Sequence, residues 1–157
     1  NTFHRGVGVP REPCMKPSPS RSRNMAAIRS KDTQPELAVR KALHAAGFRY
    51  RLHRKDLPGT PDIVLPRYRT AVLVHGCFWH GHDCPDGHTP QTNTAYWLPK
   101  LEGNRRRDER HKAQLEALGW NVEVVYACQA AEGIPRLIER LRAAGAQEQQ
   151  KRGRGTC

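Results

Sequence analysis

The stretch Val72–Cys84, VLVHGCFWHGHDC, constrains this chain more than any other. It opens as an apolar run with the character of a buried strand. Its last ten residues then carry two cysteines, three histidines, a Phe-Trp pair and two glycines. So little aliphatic side chain cannot fold such a loop by burial alone, so something else must hold it. Cys77, His82 and Cys84 are spaced C-x4-H-x-C, three soft or borderline donors on one loop. Zinc takes four such donors tetrahedrally, and Cys128, at the end of a later strand, supplies the fourth if that strand runs parallel beside the first. Four protein donors leave no position for water, so a zinc ion here is structural. The competing reading is two buried cysteines with histidines turned to solvent.

The rest of the composition narrows the partners. The chain has 157 residues, one domain's worth, with 27 Lys and Arg against 15 Asp and Glu, a net charge of +12. Residues 1–31 alone hold seven basic groups against one acid. A mildly basic body behind a strongly basic arm suits a polyanion such as nucleic acid, although a charge excess also simply solvates a surface. Five cysteines, an odd number without a signal peptide, argue against a disulfide framework. No apolar run approaches the ~20 residues a bilayer requires. The expectation is a cytoplasmic protein with no membrane association.

In chain order, residues 1–22 read as a disordered basic leader, 23–145 as one domain and 146–157 as a disordered tail. Asn24–Ser30 predicts a short helix presenting Met25 and Ile28. Thr33-Gln-Pro-Glu36 has capping-box spacing and starts a helix that Gly47 ends. Phe48, Tyr50 and Leu52 alternate as a strand. Leu57–Asp62 is a turn into a second strand, Ile63–Leu65, and Thr70–Val74 is a third. Residues 76–93 are too rich in Gly, Pro and His to be regular. A helix over Lys100–Leu118, a strand over Trp120–Tyr126 and a helix over Ile134–Ala144 complete the order α-β-β-β-α-β-α. The fold class is α/β, a mixed central sheet flanked by helices.

Several residues outside the cysteine set carry candidate chemistry. Asp62 at the mouth of a strand is where metal-dependent nucleases keep a magnesium carboxylate, yet the acid-x-lysine expected on the next strand is missing. Asp62 is thus a metal ligand or a turn-forming aspartate. His75 and His80 can serve as general acid or base, or as hydrogen-bonded surface imidazoles. The capping box alone accounts for Glu36. Phe78, Trp79 and Trp97 can stack on bases or form a small core round the zinc. Lys100 and Asn104, four apart on one helical face, can hydrogen-bond base edges. The run Arg105–Lys112 fits phosphate contact or a solvated face.

Read together, LPGTPDIV, VHGCFWHGHDC, TAYWLPKLEGN, RRDERH and LGWNVEVVYAC resemble the very-short-patch repair endonucleases, the Vsr family. The resemblance runs from about Ser22 to Cys128. It implies a restriction-endonuclease-like fold and magnesium-dependent nicking of one strand of double-stranded DNA, 5′ to the thymine of a T:G mismatch left by deamination of 5-methylcytosine. It implies that Asp62 and the Val74 main chain hold Mg²⁺. His75, His80 and Glu36 complete the catalytic cluster, with His80 or the magnesium activating water. Cys77, His82, Cys84 and Cys128 hold Zn²⁺. Phe78, Trp79 and Trp97 intercalate from the major groove, Met25 presses in from the minor groove, and Lys100 and Asn104 read the mismatched pair. It implies a monomer in the bacterial cytoplasm, linked to a cytosine-5 DNA methyltransferase and to a downstream polymerase and ligase. Some members carry Thr where this chain has Val74, a change that matters only if a hydroxyl contacts the metal. Two rivals remain: a zinc-stabilised DNA-binding module without catalysis, and a restriction-type endonuclease cutting matched duplex.

Overall fold

The computed structural model describes residues 32–153 except Gly81 and Thr89, with side chains as far as residue 147. The leader over residues 1–22 and the helix carrying Met25 lie outside the described residues. Helix α1 spans Gln34–Ala45, strand β1 Arg51–Leu52, β2 Ile63–Leu65 and β3 Thr70–His75. A one-turn helix α2, Cys77–His80, follows directly, then α3 over Thr94–Ala117, β4 over Asn121–Tyr126 and α4 over Ala130–Gly153. Short 3-10 turns occupy Pro66–Tyr68, Pro85–Gly87 and Ala127–Gln129. The four strands form one mixed sheet in the order β1-β2-β3-β4, antiparallel except for the β3–β4 pair.

Alternation along the strands divides the apolar residues between two layers. Ile63, Leu65, Val72 and Val125 face α1 and α4, meeting Val39, Leu43, Leu137 and Leu141. Val64 and Ala71 face the other way, onto Leu57 and Leu115 of α3, with Trp120 and Val122 at the margin. The sheet is therefore sandwiched between α1 and α4 on one side and α3 on the other, the mixed α/β architecture expected. β3 is buried at five of its six positions, so both faces of its end are fixed by packing.

Four local expectations change. Only Arg51 and Leu52 pair with β2, and Leu52 is 40% exposed, so the predicted strand shrinks to a short edge. Part of the loop after β3 is regular, because Cys77–His80 close a helical turn, with His80 N–H donating to Gly76 O at 3.2 Å. α3 begins at Thr94, six residues early, and tolerates Pro99 within its second turn. α4 continues past Gly145 to Gly153, so the stop expected there is absent. Gly145 serves a close approach instead: a Cβ there would lie 2.9 Å from the Tyr68 ring. None of the described helices is long and apolar enough to cross a membrane.

Leu43 is fully buried between α1, the sheet and α4. Leu43→Ala is expected to cost about 2–5 kcal/mol, read as a lower urea midpoint at unchanged slope.

Candidate active site and cysteine-histidine cluster

Asp62 is delivered by the turn Leu57–Pro61. Gly59 holds φ +72 there, and a Cβ on it would come within 2.7 Å of His111 on α3, so both backbone and space call for glycine. His53 N–H donates to Asp62 O at 3.2 Å, and Val74 N–H donates to the Asp62 carboxylate (Oδ2) at 2.8 Å. The carboxylate is thereby tied across the end of β3. Burial pushes its pKa up; the Val74 N–H opposes that rise, the Glu36 carboxylate adds to it, and His53 and His80 counter it. These influences put Asp62, Glu36, His53 and His80 in one electrostatic neighbourhood.

Glu36 does not close the predicted capping box. Thr33 makes no side-chain cap, and the carboxylate accepts instead from Asp32 N–H at 2.9 Å. Only 2% exposed, Glu36 is bound by Arg40 one turn along α1. His53 Nε2 lies 3.2 Å from its Oε1.

His75 and His80 stack face to face, ring centres 3.7 Å apart at 5°. The one-turn helix α2 produces this by folding residue 80 back over residue 75. Burial, with the positive charge available at His80, pushes His75 down to about 4, against the pull of Asp108. His75 is therefore neutral near pH 7, and its Nδ1 is buried without a hydrogen-bond partner. His80 Nδ1 hydrogen-bonds the Asp108 carboxylate of α3. These three residues line an open cleft of about 340 Å³ together with Arg105 and Lys112. Sequence reasoning missed Asp108. Its signal is position, since it follows Lys100 and Asn104 at i+8 and i+4 on one helical face. Arg40, at i+4 from Glu36, was missed in the same way.

The parallel register His75↔Tyr126 carries the chain through the turn Ala127–Gln129 and sets Cys128 beside the loop. One donor atom from each of Cys77, His82, Cys84 and Cys128 lies within 4.8 Å of the others, the set read from spacing. Cys128 Sγ is 3.4 Å from His82 Nδ1. The Tyr126 ring stacks on His82 with centres 4.1 Å apart, orienting it. The His82 hydrogen bond lowers Cys84 to about 7. Desolvation, then the adjoining Cys77 and Cys84 thiols, pushes Cys128 up to about 12.

Phe78, Trp79 and Trp97 form one cluster, with ring centres 5.1 Å (78–79), 5.4 Å (78–97) and 6.1 Å (79–97) apart. Tyr96, not foreseen, adds a fourth ring 5.0 Å from Trp97. Lys100 Nζ sits 5.3–5.7 Å from the Trp79, Tyr96 and Trp97 centres and donates to Tyr96 Oη at 3.2 Å. Asn104 Nδ2 donates to Trp79 O at 3.2 Å, fastening the aromatic loop to α3.

Fold and site define a mixed-sheet α/β domain whose acid–base groups and thiol cluster share one end of the sheet. Comparison with known proteins gives the family. The model of the DNA mismatch endonuclease Vsr family matches residues 15–86. The chain is 55% identical over 126 residues to the type II nicking enzyme V.XorIIP of Xanthomonas oryzae, covering 80% of this chain and 92% of that one. It is 45% identical over 130 residues to the type II nicking enzyme V.NmeAIP of Neisseria meningitidis, covering 79% and 93%. It is 41% identical over 120 residues to the DNA mismatch endonuclease Vsr of Escherichia coli, covering 76% of each. The chain belongs to the DNA mismatch endonuclease Vsr family, a family of DNA endonucleases.

Proposed function

We propose that this protein is a magnesium-dependent endonuclease that nicks one DNA strand 5′ to the thymine of a T:G mismatch. The observation that carries the reading is the convergence of Asp62, the stacked His75–His80 pair and Asp108 beside a loop bearing clustered aromatic rings. Membership of the family and the nicking activity named for two relatives support it.

Asp62 and the Val74 main chain would hold Mg²⁺. The donor set fits, because Asp62 is a half-buried carboxylate crowded by a second one, and a hard cation relieves that conflict. When bound, magnesium supplies positive charge against the charge that develops on the phosphoryl group. His80, its Nδ1 engaged by Asp108, would accept the proton of the attacking water through its other ring nitrogen. Neutral His75, stacked beneath it, fixes the plane of that ring and can hydrogen-bond the phosphate. Glu36 would complete the cluster by setting the charge around Asp62.

Cys77, His82, Cys84 and Cys128 would hold a structural Zn²⁺. Tetrahedral zinc separates neighbouring sulfur and nitrogen donors by about 3.5 Å, and the Cys128–His82 pair fits that spacing. Phe78, Trp79 and Trp97 would wedge beside the mismatch from the major groove, with Met25 opposite and Lys100 and Asn104 at the base edges. Such a lesion ties the enzyme to a cytosine-5 DNA methyltransferase, and its nick requires a polymerase and a ligase to finish repair. The proposed enzyme acts as a monomer. The named relatives are bacterial, which supports action on the chromosome in the cytoplasm.

With matched and T:G duplexes labelled on each strand, the thymine strand of the mismatch should be cut only with Mg²⁺. Absence of Mg²⁺-dependent nicking would make the protein a DNA-binding module, and double-strand cleavage of matched DNA a restriction-type enzyme. Asp62→Ala is expected to slow nicking by about 100-fold or more while duplex affinity holds. Surviving activity would reduce Asp62 to a turn residue.

Cys128→Ser should take zinc from about one ion per chain to none by metal analysis and lower the denaturation midpoint. Unchanged zinc content would remove Cys128 from the ligand set.

A further inference from the structure

In the electrostatic neighbourhood of Asp62 lies a second set of metal-type donors, of which the proposed reaction uses only Glu36. Asp32, Glu36 and His53 each offer a donor atom within 4.8 Å of the other two. Two carboxylates and an imidazole are a reasonable set for a divalent ion. Arg40, however, reaches into the middle of all three. Its Nη1 donates to Asp32 Oδ1 at 2.7 Å, and its Nη2 donates to Glu36 Oε1. The same Nη2 lies 3.0 Å from His53 Nε2. Tyr50 Oη donates to Arg40 O at 3.3 Å and tacks down that turn of α1.

The burial of this group sharpens the point. The Arg40 side chain is 12% exposed and that of Glu36 is 3%. Arg40 Nε is buried with no hydrogen-bond partner, so one donor is forfeited to aim the two Nη groups. A planar fork with fixed donors holds carboxylates at set angles, which a rotating ammonium cannot do.

We propose that Arg40 is a positioning residue for Glu36, its guanidinium filling the place a second divalent ion would take among Asp32, Glu36 and His53. Arg40, bound at Glu36 Oε1 while Asp32 N–H holds Oε2, neutralises Glu36 and keeps it from turning to compete with Asp62 for a metal. The site is thereby kept to a single metal-binding carboxylate, Asp62. The consequence for catalysis rests on the proposed nicking reaction, whereas the consequence for metal binding does not.

The test is Mn²⁺ titration of the full, zinc-loaded, DNA-free protein by calorimetry, alongside single-turnover nicking. Arg40→Met should bind one Mn²⁺ more than wild type, and adding His53→Ala should abolish that extra ion. Arg40→Lys, which keeps the charge, should bind Mn²⁺ as wild type does. With T:G duplex and saturating Mg²⁺, Arg40→Met should nick about tenfold more slowly at unchanged duplex affinity, and Arg40→Lys should recover part of the rate. If Arg40→Met does not fold, Arg40→Gln takes its place in each measurement. Equal Mn²⁺ counts in wild type and the neutral variant overturn the proposal, whatever the nicking rate. An extra Mn²⁺ in a protein whose wild type nicks nothing would leave Arg40 in its role and remove the proposed reaction.

Discussion

The parallel pairing of β3 with β4 is the constraint on which the rest depends. Its register, Val74↔Val125 and His75↔Tyr126, ends both strands at the same level. Each strand then turns at once into a short helical segment, Cys77–His80 after β3 and Ala127–Gln129 after β4. Residues fifty positions apart thus meet as a thiol-imidazole cluster, with Tyr126 stacked on His82 at the seam. A slip of one residue would turn every β4 side chain to the other face. Val125 would leave the α1–α4 layer and Cys128 would leave the loop.

The same strand end organises charge. Asp62 is drawn across β3 by the Val74 N–H, so its carboxylate is registered to the backbone that bears His75. Two further carboxylates nearby already have partners: Glu36 has Arg40, and Asp108 has His80. Asp62 has no ion-pair partner among the described residues, and burial and Glu36 both disfavour its charge. Of these carboxylates Asp62 alone is left without a cationic partner among the described residues, which is what supports the magnesium proposed there.

What was legible in the sequence follows from how local each signal is. Cys77, His82 and Cys84 lie within eight residues, and an apolar strand announces its own end, so the cluster with Cys128 could be read from spacing. Short apolar runs marked β2 and β3, which are buried on both faces, and alternation marked β4, whereas the same alternation over Phe48–Leu52 overstated β1, an edge strand of two residues. Asp108 and Arg40 could not be found that way. Each sits on a helix among other charged residues, and only the helix's rotation against the sheet decides which one turns inward. Pro99 hid the start of α3 for a similar reason. A proline argues for a boundary, and here the packed Trp97 and Leu101 on either side carry the helix through it. Glu36 shows the opposite error. Its capping-box spacing was real, but a buried Arg40 offered the carboxylate more than the Thr33 N–H did.

On the proposed reading, the aromatic cluster bears on how such a loop could be ready for DNA before meeting it. Four large rings near a polar surface would scatter or recruit other apolar surface if left alone. Here they meet mostly edge to face, an arrangement their quadrupoles favour, with the Lys100 ammonium within 6 Å of three of them. Asn104 fixes the backbone beneath Trp79. Each ring is held by another ring or by the cation, so on that reading little ordering would remain to be done on contact with bases. Lys100 and Asn104 thus act first on the protein's own aromatic cluster. A base edge that draws either of them away must offer more than the ring faces or the Trp79 carbonyl it leaves. On the proposed reading, that threshold is itself a source of selectivity, because a matched pair that cannot meet it leaves the wedge closed on its lysine.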